Sequence, residues 1–218
     1  SPPEVLSRMR HGGFIHNAEL FDQAFFSISS AEAQAMDPQQ RQLLEQGYLA
    51  LHATGLAKST LLGACVAVNV GQWASEFGSV LMRSPAGRSV YAATGFACSV
   101  TCGRVSVVLG LHGPCSSFDT ACSSSLVANH SSFQALSSAE CETTLSAGVN
   151  MILDPAVMHG NAAAGFTSVR GRSHTWDVRA DGYARGEAID TIVSTSGRDS
   201  VVSSEAVVGS AVRQDGRS

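Results

Sequence analysis

One segment, residues 116–136, restricts more than any other how this chain can fold. A short β-prone run at 116–118 is followed by a cluster of small residues at 121–125, with Cys122 inside it. The spacing of one helical face follows, carried by Leu126, His130 and Phe133. The segment therefore predicts a strand, a tight turn and a helix in direct succession, with Cys122 on the turn.

Cys122 is the candidate nucleophile. Backbone N–H groups at a helix start lack intrahelical partners, and together with the helix macrodipole they stabilise a nearby anion. Since the thiolate is the nucleophilic form of cysteine, this position favours reactivity. The Gly-x-Ser-x-Gly pattern of the hydrolase serine elbow is absent. Alternatively, Cys122 is a small hydrophobic residue that is buried and has no catalytic role. The neighbouring residues leave both the catalytic and the structural role open.

Several motifs resemble β-ketoacyl synthases, the condensing enzymes of polyketide and fatty acid synthesis. Residues 119–126, Asp-Thr-Ala-Cys-Ser-Ser-Ser-Leu, resemble the active-site signature of that family. Residues 36–41, Met-Asp-Pro-Gln-Gln-Arg, resemble the signature of type I polyketide ketosynthases. Residues 103–106, 111–114 and 176–187 also match family segments in the family's order. The resemblance therefore covers nearly the whole chain.

This resemblance implies a fold and a domain. The fold is α/β and thiolase-like, with α/β/α/β/α layers that are incomplete in this chain. We expect residues 1–218 to form a partial ketosynthase domain. Its opening strand would be missing, and so would the C-terminal part that carries the family's two catalytic histidines.

The resemblance also implies an activity. The protein would be an acyltransferase that accepts an acyl group on Cys122 and condenses it with a malonyl-type extender by decarboxylative Claisen condensation. Acyl and malonyl thioesters would arrive on the phosphopantetheine of an acyl carrier protein, and no cofactor would bind this chain directly. We expect a homodimer for the full-length protein and no condensation by the 218-residue chain alone. A non-catalytic subunit for dimerisation or scaffolding, and a thiol hydrolase, are the alternatives.

Composition excludes other classes of protein. A net charge of −4 gives no reason to expect nucleic acid as a partner. Six cysteines in a chain of 218 residues indicate reduced intracellular thiols, and hence a cytoplasmic location, although organelle targeting is unreadable. Cys98 and Cys102 lack the companions of a zinc site, so no metal is expected. The most apolar run, Leu61 to Val70, is too short for the roughly 18 residues of a membrane span.

Local patterns predict further elements. Asp37 and Pro38 predict the start of a helix, with Gln40 closing a capping box and Gly55 ending the helix. A second helix is predicted from 97 to 111, ended by the Gly-Pro at 113–114. Buried strands are predicted at 61–71 and 144–150, and another strand at 207–212. Residues 190–204 fit the family poorly, which leaves strand geometry there open.

Other polar residues receive structural roles. His130 lies eight residues beyond Cys122 on the same predicted helix, about 12 Å away along the backbone, so we expect a structural histidine. No role is assigned to His112, His159 and His174. Backbone-binding or ion-paired carboxylates are expected at Asp119, Asp181 and Glu187. Four arginines form either a basic face for an acidic carrier protein or an ordinary solvated surface, at positions 170, 172, 179 and 185.

Overall fold

The computed structural model describes residues 2–73, 75–197, 206–214 and 216. Its helices are α1 (Pro3–Arg8), α2 (Ser30–Ala35), α3 (Pro38–Ala53), α4 (Lys58–Leu61), α5 (Phe77–Met82), α6 (Ala92–Gly95), α7 (Cys98–Leu109), α8 (Ser124–Ser137) and α9 (Pro155–Ala163). Its strands are β1 (Val66–Gln72), β2 (Cys115–Phe118), β3 (Thr143–Asn150) and β4 (Ala188–Thr195), and two 3-10 turns cover Pro85–Arg88 and Ala121–Ser123.

The strands form one sheet in the order β2-β1-β3-β4. β1 is parallel to both of its neighbours, whereas β4 is antiparallel to β3. Every residue of β1 is buried, as expected for a strand covered on both faces. The predicted strand at 144–150 is confirmed, and the one at 61–71 is confirmed from Val66 onward.

Helices cover both faces of this sheet. α3 and α7 pack on one face, where Leu43, Leu44 and Val105 join the alternate residues of β1 in the main core. Each fully buried side chain of this kind contributes about 1.5–3 kcal/mol. α8 packs on the other face, where Asn69 of β1 donates a hydrogen bond to Ser132 Oγ at 2.9 Å. The α/β class is confirmed, and the helix–sheet–helix arrangement corresponds to part of the expected layers.

The start of α3 follows the sequence prediction in part. Asp37 caps it by accepting a hydrogen bond from Gln39 N at 2.8 Å, and Pro38 is its first residue. The predicted capping box is wrong. Gln40 Oε1 accepts a hydrogen bond from Arg104 Nε at 2.7 Å, because that buried guanidinium requires a polar partner.

Two other predictions differ from the structure, and a stretch that was left open is resolved in part. α7 ends at Leu109, where Gly110 takes φ +71°, earlier than the predicted Gly-Pro at 113–114. Residues 207–212 have no regular secondary structure, so the predicted strand there is wrong. Of the uncertain stretch 190–204, the residues up to 195 belong to β4 (188–195), and 198–204 lie outside the described residues.

Candidate active site

Cys122 lies on a bend between β2 and α8, as predicted. The strand ends at Phe118, a 3-10 turn covers Ala121–Ser123, and α8 begins at the next residue. Cys122 is in the middle of that turn and is exposed. Ala121 has φ +54°, a left-handed conformation that is uncommon for a residue with a Cβ atom. The bend is therefore tight and conformationally strained.

Polar side chains of the same segment hold the backbone of this bend. Asp119 Oδ1 accepts a hydrogen bond from Ala121 N at 3.2 Å, which confirms a backbone-binding carboxylate. The Ser124 hydroxyl accepts one from Thr120 N at 2.9 Å and donates one to Ala121 O at 2.7 Å. Ser123 Oγ donates to Thr120 O at 2.8 Å. These side chains fix the position of the cysteine between them.

Two glycines of the sheet let the start of α8 approach closely. Gly71 of β1 and Gly148 of β3 are direct neighbours in the parallel register. A Cβ atom at Gly71 would lie 2.4 Å from Ser125 N, and one at Gly148 would lie 2.7 Å from Ser125 Cβ. Because Gly71 and Gly148 have no side chains, the start of α8 can pack directly against the backbone of β1 and β3, and this contact sets the position of the bend.

The helix that follows Cys122 has an N-terminus without a side-chain cap among the described residues. α8 has 14 residues, so its aligned peptide dipoles place partial positive charge at the bend. The reactivity expected for Cys122 stays a prediction.

Cys122 lies on the wall of a cavity of about 930 Å³. The carboxyl ends of β1 and β3 and the first turns of α8 form much of its lining, which also includes Trp73, Leu126 and Phe166. Ligands of α/β proteins commonly bind at the carboxyl ends of parallel strands. The cavity is large enough for a small acyl chain beside the sulfur, since ligand pockets span about 300–1,000 Å³.

A buried ion pair supports another part of this wall. Arg185 Nη2 and Glu76 Oε1 are 2.5 Å apart, and the two side chains are 4% and 5% exposed. Glu76 Oε2 also accepts hydrogen bonds from Leu153 N and Asp154 N, both at 2.8 Å. The Arg185 guanidinium lies 5.8 Å from the centre of the Trp73 ring. Glu76 therefore connects three segments of the chain behind the cavity.

The four arginines considered as a basic face do not all lie on the surface. Arg185 is buried in the ion pair just described, which removes it from the surface. Arg179 pairs with Asp177 at 2.6 Å, and this hydrogen-bonded partner lowers the pKa of Asp177 to about 2. Arg170 donates to the backbone oxygen of Arg179 at 3.2 Å. Arg170 and Arg179 thus make contacts within their own exposed loop, which agrees with the solvated-surface alternative.

The remaining candidates have structural partners. His130 Nδ1 lies 2.9 Å from Ser210 Oγ, in accordance with the expected structural histidine. Glu187 accepts hydrogen bonds from Ile15 N and Ile152 N at 3.0 Å. Asp181 accepts one from the Ser168 hydroxyl, which lowers the pKa of that carboxyl. Both acidic residues bind neighbouring groups, as expected.

Neither a metal cluster nor a membrane span is found among the described residues. Within that part of the chain, no group of three or more His, Cys, Asp or Glu side chains is arranged to hold a metal ion. None of the helices formed by the described residues is long and apolar enough to cross a membrane.

Sequence reasoning missed the part of the cavity wall that contains Trp73 and Arg185. It gave no role to Trp73 and Glu76, and it considered Arg185 as a possible surface residue. The ion pair joins positions 109 residues apart, so no local spacing predicts it. A glycine at the end of an apolar strand, Gly71, was the available signal for close backbone approach.

The α/β fold, the β2–bend–α8 segment and a family match together define the class of protein. Residues 2–196 match the family model of the β-ketoacyl synthase N-terminal domain. The chain therefore belongs to the β-ketoacyl synthase family.

Particular relatives are polyketide synthases. The chain is 43% identical over 211 residues to a phenolphthiocerol/phthiocerol polyketide synthase of Mycobacterium tuberculosis, a match that covers 95% of this chain and 14% of that protein. It is 42% identical over 206 residues to a hybrid PKS-NRPS synthetase of Neonectria sp., covering 93% of this chain and 5% of that protein. The chain thus spans a small part of these relatives.

A solved structure has the same fold. The ketosynthase from module 6 of the bacillaene synthase from Bacillus subtilis 168 superposes with a TM-score of 0.75 at 32% sequence identity. The superposition covers 84% of this chain and 30% of that chain. The predicted thiolase-like α/β fold, present here in part, is thereby confirmed.

Proposed function

We propose that this protein is a condensing enzyme of polyketide biosynthesis in which Cys122 carries the acyl group. The observation that carries the proposal is the position of Cys122, exposed on a bend at the N-terminus of α8 and on the wall of the 930 Å³ cavity. Its relatives are polyketide synthases, which supports the same reaction class.

In the first step the Cys122 thiolate attacks the carbonyl carbon of an acyl thioester on the phosphopantetheine of an acyl carrier protein. A C–S bond to Cys122 forms, the C–S bond to phosphopantetheine breaks, and the departing sulfur takes up the proton that Cys122 lost. Backbone N–H groups at the bend, including that of Cys122, stabilise the oxyanion that develops between these events. The cavity beside the sulfur then holds the acyl chain.

In the second step a malonyl-type thioester loses CO₂, and the resulting carbanion attacks the acyl carbonyl on Cys122. This forms the new C–C bond of a β-ketoacyl product and releases the cysteine. The family resemblance puts the two histidines that support this step beyond the segments matched here. We therefore expect acylation, and no condensation, by the 218-residue chain alone.

The proposal includes two partners. An acyl carrier protein delivers both thioesters, and a second copy of the full-length protein forms a homodimer. The relatives are long polyketide synthases of which this chain spans 14% and 5%, and a multidomain protein of that kind is a suitable context for a carrier domain.

The experiment is acylation of the 218-residue chain by an acyl-phosphopantetheine thioester, followed by intact mass spectrometry and peptide mapping. We expect one acyl group, attached to Cys122. Cys122→Ala should remain unmodified, because it lacks the nucleophilic sulfur. Cys65→Ala is the matched control, since it removes another exposed cysteine and should leave acylation unchanged.

The outcomes separate the rival functions. If the folded wild-type chain takes no acyl group, the non-catalytic scaffold role is favoured. Rapid release of the acyl group as a free acid favours a thiol hydrolase. A β-ketoacyl product from the chain and malonyl carrier protein would refute the expectation that this chain alone cannot condense.

A further inference from the structure

Three aromatic residues lie on the wall of the cavity beside Cys122. Among the described residues that form the lining, they are Trp73, Phe166 and Tyr183. They are between 38% and 55% exposed. Pockets that bind small organic groups are lined mainly by hydrophobic and aromatic side chains, and these determine which shapes fit. The three aromatic residues are therefore the part of the wall most informative about the occupant.

The backbone of Trp73 is fixed on both sides. Gln72, the residue before it, is the last of β1 and pairs with Val149 of β3. Two residues after Trp73, the Ser75 hydroxyl donates a hydrogen bond of 2.5 Å to Asp37 Oδ2, and Asp37 is fully buried at the start of α3. Trp73 thus lies on a short connection whose ends are fixed to the sheet and to α3.

The ring of Trp73 also has a fixed neighbour. The Arg185 guanidinium lies 5.8 Å from the ring centre, which is within the range of a cation–π contact. Arg185 is itself held by its buried ion pair with Glu76. Because the ring is placed before a ligand arrives, a contact with it costs little side-chain entropy.

Phe166 and Tyr183 have adjacent backbones. Tyr183 N donates a hydrogen bond to Phe166 O at 2.9 Å. Gly182 permits this approach, because a Cβ atom there would lie 2.6 Å from Phe166 O. Tyr183 is only two residues from Arg185, whose guanidinium contacts Trp73. The segment 182–185 therefore connects all three aromatic residues of the wall.

We propose, on the basis of the proposed acyl transfer to Cys122, that the cavity selects acyl groups that carry an aromatic ring and that Trp73 is a specificity-determining residue. Aromatic rings attract one another in offset-stacked or edge-to-face pairs, with a gain beyond the burial of apolar area. A saturated ring of the same size buries apolar surface but lacks this gain. The ring lies away from the carbonyl carbon that Cys122 attacks, so its contacts are equal in the ground and transition states. Selection should therefore change KM and leave kcat similar.

The experiment compares two phosphopantetheine thioesters, 3-phenylpropanoyl and 3-cyclohexylpropanoyl, which share one carbon skeleton and differ in whether the ring is aromatic. The 218-residue chain competes for an equimolar mixture, and intact mass spectrometry gives the ratio of the two acyl groups on Cys122. We expect 3-phenylpropanoyl to exceed the saturated analogue about 2- to 10-fold, the factor that one aromatic pair supplies. Measured separately, the two thioesters should differ in KM.

Variants assign the preference to the wall. Trp73→Leu replaces the aromatic ring with an aliphatic side chain and should lower the ratio about 2- to 10-fold. Phe166→Leu should lower it too, and it provides a second test on another segment if circular dichroism shows that Trp73→Leu is unfolded. Trp176→Leu is the matched control. It removes the other tryptophan of the chain, which is fully exposed and outside the lining, and should keep the wild-type ratio.

The outcomes separate this selectivity from the acyl transfer itself. Equal amounts of the two acyl groups on wild-type Cys122, or an excess of the cyclohexyl group, would overturn the selectivity and leave the acyl transfer supported. A wild-type ratio in folded Trp73→Leu would overturn the role of Trp73. If neither thioester acylates Cys122, the proposed function fails and the selectivity fails with it.

Discussion

Replacing Gly71 with alanine tests whether the sheet positions the candidate nucleophile. The new Cβ atom would lie 2.4 Å from the backbone of Ser124 and Ser125, and ordinary van der Waals contact begins near 3.4 Å. The first turn of α8 would therefore have to move by about 1 Å away from the sheet. Because the atoms in the way are backbone atoms, no rotation of a side chain relieves the clash.

Two quantities should change in Gly71→Ala. Overpacking of this kind lowers the free energy of unfolding by about 1–3 kcal/mol, measurable by urea denaturation. A displacement of about 1 Å at a reacting group costs about 100-fold in rate, so acylation of Cys122 by an acyl-phosphopantetheine thioester should slow by that order. Gly148→Ala should be milder, because its new methyl group would lie 2.7 Å from Ser125 Cβ, a smaller overlap than the one at Gly71.

Gly103 supplies the matched control. It lies inside α7 with open space around the position of a Cβ atom, so Gly103→Ala should raise the free energy of unfolding by about 0.5–1 kcal/mol and leave acylation unchanged. A Gly71→Ala chain with wild-type stability and acylation rate would refute the argument that this contact sets the position of the bend.

Two further predictions concern the cavity wall and the bend. Glu76→Gln leaves the buried Arg185 without a counter-charge and should cost about 3–5 kcal/mol in urea unfolding. Asp177→Asn, which removes a largely exposed ion pair, should change stability little; equal losses in the two variants would contradict this reasoning. Ala121→Gly should raise the free energy of unfolding by about 1 kcal/mol, because glycine adopts φ +54° without strain. Ala50→Gly, inside α3, should lower it by about the same amount, and a loss in both variants would show that the bend is unstrained.

The predictable parts of the fold are those whose signals are local. Asp37 and Pro38 are adjacent and both favour a helix start, so the N-terminus of α3 was predicted correctly. The capping box at Gln40 was predicted wrongly, because its actual partner, Arg104, is 64 residues away. A strand was predicted at 207–212 from apolar composition, although β-propensity largely reflects packing against neighbouring strands. Residues 207–212 pair with none of the four described strands.

In the candidate site, too, the features with local sequence signals were predictable and those that depend on distant residues were not. The bend at Cys122 was predictable because a β-prone run, small residues and a helical pattern follow one another without interruption. The ion pair of Glu76 and Arg185 was not, since charged residues are rarely buried and nothing near either residue indicates its partner. The role of Gly71 depends on a helix that begins more than 50 residues later, and it appears only once the sheet and α8 are assembled.

The residues of the bend are under two different evolutionary constraints, one on the shape of the backbone and one on the proposed reaction of Cys122. The side chains of Asp119, Ser123 and Ser124 form hydrogen bonds with backbone groups of the bend. Replacing any of them therefore removes a contact that fixes the backbone conformation. The sulfur of Cys122 is exposed and can be exchanged for another small group without disturbing those contacts. A descendant of this chain could therefore lose the proposed acyl transfer through one substitution at Cys122 and keep the bend. Loss of the bend would instead displace the sulfur as well, so the proposed reaction could not outlast the bend.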